Sequence, residues 1–293
     1  MKNDYESLIT VVIPSYNRET LIGKTLDSII AQTHQNWECF VVDDRSTDKT
    51  AEVVNTYAEK DQRIHFVQMP TKGNANVSRN KGIELAKGNY IAMLDSDDMW
   101  LENHLESRLK CIKKSGADGV YGGTIFSTPN SSTTQKSRLQ KPNESNFVFA
   151  TFSMVPKQTS SLFFNTEAIK TIMWDEELAR HQDFDLIIRF LNSYTLALDD
   201  NITVNMNVDT ARNSFINSNS NNHNLYLNGC IKYYEKYKSD FFANPYSTTL
   251  YLISFIKLVG KKKKWHYVKY YSVELLKLLA SIKRLKQILK AKL

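Results

Sequence analysis

Cysteine is scarce in this chain of 293 residues: Cys39, Cys111 and Cys230 are the whole set. Thiols so few, odd in number and far apart argue against a disulfide framework and against a zinc site, and point to a reducing compartment. Long apolar runs are missing too. No segment reaches the roughly eighteen uninterrupted apolar residues that a spanning helix needs. The start of the chain reads as no signal peptide, because Met1–Ser7 is polar and the run Leu8–Ile13 is too short. The Asn-x-Ser/Thr matches at Asn76, Asn130, Asn143 and Asn201 then read as accidental. Internal repeats are absent. A net basic surplus is missing from most of the chain: the net is +7, yet residues 257–293 hold twelve Lys/Arg and one Glu, a surplus of +11, so the other 256 residues carry −4. An acidic body excludes the broad basic face of a nucleic-acid binder, while a basic tail suggests a surface anchor.

What is present is ample apolar material, 42% of residues, enough for one large core or two fused domains. The first 125 residues alternate short apolar runs with helical spacing. Strands are expected at Leu8–Ile13, Trp37–Val42, Ile64–Val67, Asn89–Leu94 and Gly119–Phe126. Helices are expected at Thr20–Gln32, Asp48–Lys60 (capped by Ser46 or Thr47), Asn74–Ala86 and Leu101–Lys114. This alternation implies βαβ units and an α/β fold with a mostly parallel sheet flanked by helices. The polar stretch Ser127–Asn146 reads as a mobile surface loop of the kind that serves as a lid. Ser160–Asn165 and Tyr194–Val208 read as further strands, Arg180–Leu191 as a helix, Asn213–Asn224 as a loop or linker, and the remainder as helical.

Chemistry concentrates at the expected strand ends. Residues 90–98, Tyr-Ile-Ala-Met-Leu-Asp-Ser-Asp-Asp, form an apolar strand that runs into three carboxylates. Strands of open α/β sheets deliver their last residues to the ligand-binding edge. Carboxylates crowded there repel unless a cation sits among them, and hard Mg²⁺ or Mn²⁺ takes oxygen ligands shared with a phosphate. The alternative is an acidic cap on the helix near Leu101. Upstream, Pro14 fixes a turn that presents Tyr16, an aromatic able to stack on a nucleobase or simply to sit half-exposed in a strand-to-helix turn. Asp43 and Asp44, on the adjacent strand end, can accept the N3–H of uracil or merely precede a helix. Gly73–Gly82 opens a helix whose N-terminus and Arg79 can face a diphosphate, or solvent. Gly23-Lys24-Thr25 is not the end of a P-loop, because Arg18 stands where that loop needs glycine.

These four segments, Val12–Arg18, Val41–Thr50, Asn76–Gly82 and Gly88–Asp98, fall in one order at successive strand ends, and in that order the chain resembles the family 2 glycosyltransferases of GT-A fold over roughly residues 7–210. The resemblance implies a Rossmann-like catalytic domain over 1–212, with a nucleotide-binding half (1–100) and an acceptor half (101–212). A helical region follows over 213–293. It implies that Pro14, Tyr16, Arg18, Asp43, Asp44, Asn76, Arg79, Asp95, Ser96 and Asp97 hold a nucleotide sugar. Asp95 would contact ribose or metal-bound water, and Asp97 would ligate Mn²⁺ or Mg²⁺. The family's base opens a helix at a Glu/Gln-Asp dipeptide, which here is Gln182-Asp183 with Gln where Glu is commoner, so Asp183 is the implied catalytic base. Asp185 stands four residues before Arg189, the spacing of a helical ion pair. His181, a base by type, is more often structural. Many relatives close a His-bearing loop over the diphosphate. The stretch Asn207–Ser214 lacks that His and offers Asp209 as a weaker metal ligand and Arg212 as a phosphate contact.

In the tail, Tyr271, Leu275, Leu278, Leu279, Ile282, Leu285 and Leu289 make a helical stripe. Lys261–Lys264, Trp265, Tyr267 and Tyr270 lie beside it, together with further Lys/Arg positions. Such a segment, 261–293, suits an anionic membrane surface, or packing on the body or a second subunit. The expected activity is inverting transfer of a sugar from a nucleotide sugar, UDP-linked by preference, to a glycan or lipid-linked acceptor. The setting would be the inner face of a bacterial membrane, in surface polysaccharide assembly. A nucleotidyltransferase making sugar nucleotides is a rival, although its usual Gly-rich loop after the first strand is replaced by Pro14–Arg18. A non-catalytic scaffold that binds nucleotide sugars is another. The sugar, the acceptor and the oligomeric state are not legible.

Overall fold

The computed structural model describes residues 6–128, 130–152, 158–207, 220–245, 248–249, 251–253, 256, 268–278 and 280. The chain divides into two compact units, Met1–His223 and Asn224–Leu293.

The first unit is built on a nine-stranded sheet. Its strands are β1 (Ile9–Ser15), β2 (Trp37–Asp43), β3 (Ile64–Gln68), β4 (Tyr90–Met93), β5 (Asp98–Trp100), β6 (Gly119–Thr128), β7 (Ser131–Gln135), β8 (Phe163–Asn165) and β9 (Leu196–Asn207). The spatial order is β3-β2-β1-β4-β8-β6-β9-β5, with β7 paired to β6. The β3-β2-β1-β4 portion is parallel. β1 and β2 are buried at every position, which explains why they read as unbroken apolar runs. β6 and β9 form a second parallel pair, with antiparallel β8, β7 and β5 around them. Helices α1 (Ile22–Ile30), α2 (Thr50–Lys60), α3 (Ala75–Leu85), α4 (His104–Ser115), α5 (Asn146–Phe152), α6 (Thr166–Ile172) and α7 (Gln182–Leu191) flank the sheet. The main core gathers Val11, Ile13, Leu26, Trp37, Trp100 and Phe163, all nearly inaccessible. α3 lies close on β1 because Gly82 has no side chain: a Cβ there would fall 2.3 Å from Val12 Cγ1.

The α/β class, the four-strand parallel portion and the four helices of the first 125 residues agree with the sequence reading, with no end shifted by more than three residues. Several elements differ. α2 is not capped by Ser46 or Thr47; Asp48, the next residue, accepts from Thr50 N through Oδ1 at 3.0 Å. Ser127–Asn146 is not a bare loop, since β7 turns back on β6, and Arg138 then grips Glu144 with both guanidinium nitrogens. Residues 160–165 are not one strand: a 3₁₀ turn (Thr159–Ser161) precedes the short β8. β5, α5 and α6 are additional to the expected elements.

In the second unit, α8 (Ser220–Lys236) starts inside the stretch read as a linker and runs into this unit; α9 (Lys238–Ala243) follows it. Residues 268–278 are helical. Tyr234 packs edge-on to Tyr271 at 5.4 Å and against Phe241 at 5.0 Å. Glu274 is paired with Lys238 at 3.1 Å and Lys277 at 2.9 Å. In this described part of the tail, the stripe positions Tyr271 and Leu278 are buried, while Tyr270, Val273 and Leu276 are exposed. Residues 261–267 and 281–293 lie outside the described residues. Among the described residues no helix is long and apolar enough to cross a membrane.

Candidate functional site

The carboxyl ends of β1, β2 and β4 meet because those strands are parallel neighbours in register, Ser15 opposite Asp43 and Val12 opposite Met93. At the end of β1, Asn17 takes a left-handed φ of 51°, tolerable for Asn, and Tyr16 is left exposed. Asp43 is fully buried and its carboxylate accepts from Ser46 N at 2.8 Å and from Ser46 Oγ; Ser46 Oγ in turn accepts from Asn17 N at 2.9 Å. Asp44 Oδ1 accepts from Gly73 N at 2.5 Å, fastening the loop before α3. That loop lays Lys72 Nζ 3.7 Å from the centre of the Tyr16 ring, a cation–π contact. The two acids thus shape the turns around Tyr16.

Between β4 and β5 the chain makes a tight turn, closed by Asp98 N donating to Asp95 O at 3.1 Å. Asp95, Ser96 and Asp97 sit on it. Arg79 Nη2 reaches Asp95 Oδ1 at 2.8 Å, and Arg18 Nη2 stands 3.6 Å from Asp97 Oδ2. Burial, then the charge of Asp95, raises the Asp97 carboxyl above the usual range. Burial, Asp95 and Asp97 raise Asp98 further. Asp98 is turned inward: its Oδ2 accepts from Ser160 Oγ at 2.5 Å. Asp95 and Asp97 are therefore the two carboxylates of the cluster that stay partly accessible.

Arg79 is held from both sides, by Asn76 Oδ1 at 2.9 Å and by the Trp174 ring at 4.5 Å. Asn76 itself is buried. Its amide donates to Asp175 O and Leu178 O, both at 2.8 Å, so it clasps the loop before α7. Asn80 adds bonds to Trp174 O (3.0 Å), Trp174 N (2.8 Å) and Glu176 Oε1 (2.8 Å), and Asn74 adds one to Glu176 O (2.8 Å). The clasped loop leads to His181, whose φ of 60° turns the chain into α7. His181 stacks on Phe184 at 5.2 Å. Burial and Arg180 lower it to about 3, so it is a neutral ring at physiological pH and a poor base. Asp185 pairs with Arg189 at 2.7 Å, as the helical spacing predicts.

Asp183 lies in the first turn of α7, where its Oδ1 accepts from Thr159 Oγ1 at 2.5 Å. Burial raises its carboxyl; Arg79, Asp95 and Arg180 are near enough to act on its charge, the two arginines opposing that rise and Asp95 adding to it. The acids of the β4–β5 turn and Asp183 are thus brought into one neighbourhood, on either side of the Thr159–Ser161 turn. Ser160 accepts from Asp95 N at 3.0 Å, and its carbonyl accepts from Trp100 Nε1 at 2.7 Å. The sequence reading gave no site role to the side chains of Thr159, Ser160, Trp100, Asn80 or Lys72. Asp209 and Arg212 lie outside the described residues.

Among the described residues no preformed cage of three or more His, Cys, Asp or Glu exists. Asp97 and one oxygen of Asp95 suit an ion that takes one or two carboxylates and fills its other positions with water and phosphate. The donor set fits Mg²⁺ or Mn²⁺ and does not fit zinc.

A parallel nucleotide-type sheet half joined to a mixed half, with acids at the junction, defines the GT-A class. Solved structures show the same fold. Residues 1–349 of Staphylococcus aureus TarS in complex with UDP superpose with a TM-score of 0.58 at 19% identity, over 94% of this chain and 91% of that one. The mannosyltransferase PcManGT of Pyrobaculum calidifontis, with GDP-Man and Mn²⁺, gives 0.57 at 16% identity over 94% and 86%. The family model described as glycosyl transferase family 2 matches residues 10–173, over half of the chain, and the chain belongs to that family. Similar curated proteins include the amylovoran biosynthesis glycosyltransferase AmsB of Erwinia amylovora, 36% identical over 190 residues, 61% of this chain and 62% of AmsB. Another is the UDP-Glc:α-D-GlcNAc-diphosphoundecaprenol β-1,3-glucosyltransferase WfgD of Escherichia coli, 36% identical over 129 residues, 44% of this chain and 49% of WfgD. The matched part spans less than two thirds of either relative.

Proposed function

We propose that this chain is an inverting glycosyltransferase that moves a hexosyl or N-acetylhexosaminyl group from a UDP-sugar to a hydroxyl of a glycan or lipid-linked acceptor, in bacterial surface polysaccharide assembly. The observation that carries the reading is the shared neighbourhood of Asp183 and the Asp95–Asp98 cluster, joined by one short turn. The activity for which WfgD is named, and the UDP and UDP-GlcNAc complexes of TarS, support the donor class.

In this reading residues 1–212 are the catalytic domain. Tyr16, Arg18, Asp43 and Asp44 shape the base and ribose pocket, with Pro14 setting its turn. Asn76 acts by holding Arg79 and the loop before α7. Asp95 and Ser96 face the ribose and diphosphate, and Asp97 (with Asp95, and Asp209 as an additional ligand) holds a divalent cation. When bound, that cation neutralises charge building on the leaving diphosphate. Asp183 takes the proton of the acceptor hydroxyl. The acceptor oxygen then bonds to the anomeric carbon from the face opposite the nucleotide, and the bond from that carbon to the diphosphate oxygen breaks, its electron pair leaving with UDP. An α-linked donor yields a β-linked product. Arg18 and Arg79, already beside the acidic turn, are positioned to meet the phosphates.

The test is Asp183→Asn. UDP release from UDP-glucose or UDP-GlcNAc should fall by at least about a hundredfold, the low end for a lost general base, while UDP affinity by calorimetry stays within about twofold. Comparable loss of both would make Asp183 a binding or structural residue.

Peripheral attachment to the inner face of the membrane, through residues 261–293, is part of the proposal. It rests on the basic surplus of the tail and on a lipid-linked acceptor.

A further inference from the structure

The turn between the acidic cluster and Asp183 has a property that neither side explains alone. Thr159, Ser160 and Ser161 are at most 3% exposed, yet two successive hydroxyls are spent on carboxylates from different parts of the chain. Thr159 Oγ1 donates to Asp183 Oδ1 at 2.5 Å, across 24 positions, and Ser160 Oγ donates to Asp98 Oδ2 at 2.5 Å, across 62. The turn is itself anchored. Trp100 Nε1 donates to Ser160 O at 2.7 Å, and the buried Arg108 donates to Ser161 O at 3.3 Å. A 3₁₀ turn with hydrogen bonds Ser161 N to Gln158 O (2.9 Å) and Leu162 N to Thr159 O (3.0 Å) allows little independent movement of the two hydroxyls.

Among the described residues Thr159 is the hydrogen-bond donor to the Asp183 carboxylate. Donation to Oδ1 restrains the carboxylate, and in the transferase reading Oδ2 is the oxygen that meets an incoming O–H. The arrangement would be wasteful for a carboxyl group that served only to start a helix, where backbone N–H donors suffice.

Resting on the transferase reading above, we propose that Thr159 is a positioning residue for the general base: its hydroxyl holds Asp183 in the orientation that presents Oδ2 to the acceptor, while Ser160 in the same turn fixes the spacing from that base to the diphosphate-binding acids. Thr159 touches neither substrate nor metal in this scheme; it acts through Asp183. A donor to the charged form also favours the ionised base. The other charges facing Asp183 are Arg79 from α3, Arg180 from the loop before α7, and Asp95 from the β4–β5 turn. All three stay in place when Thr159 is changed.

The experiment compares full-length Thr159→Val, which removes the donor at nearly constant shape, with Thr159→Ser, which keeps it. The probes are UDP-glucose and UDP-GlcNAc with Mn²⁺, with UDP release as the readout and water or added acceptor as the nucleophile. The valine variant should lose about ten- to a hundredfold in kcat, as expected of a group that orients a catalytic side chain. Its KM for donor should stay within about twofold, and the acid limb of its pH profile should move to higher pH. The serine variant should retain the parent rate and profile. A separate measurement follows the Asp183 carboxyl by ¹³C NMR, assigned with Asp183→Asn: its titration should move to higher pH in the valine variant alone, and this readout needs no turnover. Equal losses in valine and serine variants, or a valine variant with parental rate and unmoved titration, would overturn the proposal. Failure of the parent protein to release UDP from either donor would instead count against the transferase reading, and the NMR titration would still decide the role of Thr159.

Discussion

Asp183 shows how one residue carries opposing demands. Its raised folded-state carboxyl means that ionisation is less favourable in the fold than in the unfolded chain. The sign follows: the charge costs stability at neutral pH, and the cost fades as pH falls towards the unfolded value of about 3.9. Asp183→Asn is therefore expected to melt higher than the parent at pH 7.5, with the gap closing near pH 4, as scanning calorimetry at both pH values would register. On its proposed role function runs the other way, because a base must be ionised. Transfer should fail on acidification at a pH above the ordinary aspartate range, which a rate profile between pH 4.5 and 8 measures. Asp97 obeys related physics, raised by burial and by Asp95. UDP with Mn²⁺ should stabilise the fold by the linkage amount, about 2.7 kcal/mol at a hundredfold excess over Kd, and so raise the melting temperature. In Asp97→Asn the part of that shift that depends on Mn²⁺ should vanish; a full manganese shift in the variant would remove Asp97 from the metal site. At this scale the sequence was informative wherever acids ended an apolar run. It was silent on Thr159 and Ser160, whose partners come from remote segments.

At the scale of elements, α3 is the organiser. Its sequence, with Asn at 74, 76 and 80 and Gly at 82, reads as a weak amphipathic helix facing phosphate or solvent. In the fold Gly82 lets the helix press on Val12, and its asparagines face the loop 174–178. That loop leads into the segment bearing Asp183, so on the proposed role of Asp183 the helix acts on the base through the loop. Asn80→Ala leaves the buried backbone of Trp174 without its donor and acceptor. Its expected cost is about 2 kcal/mol, from groups worth about 1–3 kcal/mol each when stranded. Urea unfolding would show this as a lower midpoint with unchanged slope, and UDP release should slow with the loosened loop. A midpoint equal to the parent's would mean that the clasp contributes nothing. The parallel strands were legible because burial on both faces imposes continuous apolar runs. β5 was not, since three residues are too few for any period to register, and it exists because β9 pairs with it.

The whole molecule separates charge from catalysis. The acidic body holds the site, and the Lys/Arg surplus is confined to the last 37 residues. Deleting that segment would also remove Tyr271, Glu274 and Leu278, which are buried in the second unit. A cleaner probe is the simultaneous change of Lys261, Lys262, Lys263 and Lys264 to Gln. Each lysine near an anionic surface contributes on the order of 1 kcal/mol, so the variant should bind phosphatidylserine vesicles far more weakly in sedimentation while UDP release from UDP-glucose is unchanged. Undiminished vesicle binding would reject these lysines as the anchor.

By itself the amino-acid sequence determined the α/β class, the parallel strands, the acids at their ends and the Gln-Asp dipeptide at the start of a helix. These are local consequences of burial and chain geometry, and each leaves a pattern within ten residues or so. Only the tertiary structure decided that Asn76 clasps a loop, that Asp98 turns inward, and that a short hydroxyl turn stands between the acids of the β4–β5 turn and Asp183. Those outcomes depend on which distant segments compete for the same donors and acceptors, and nothing periodic in a single chain records that competition.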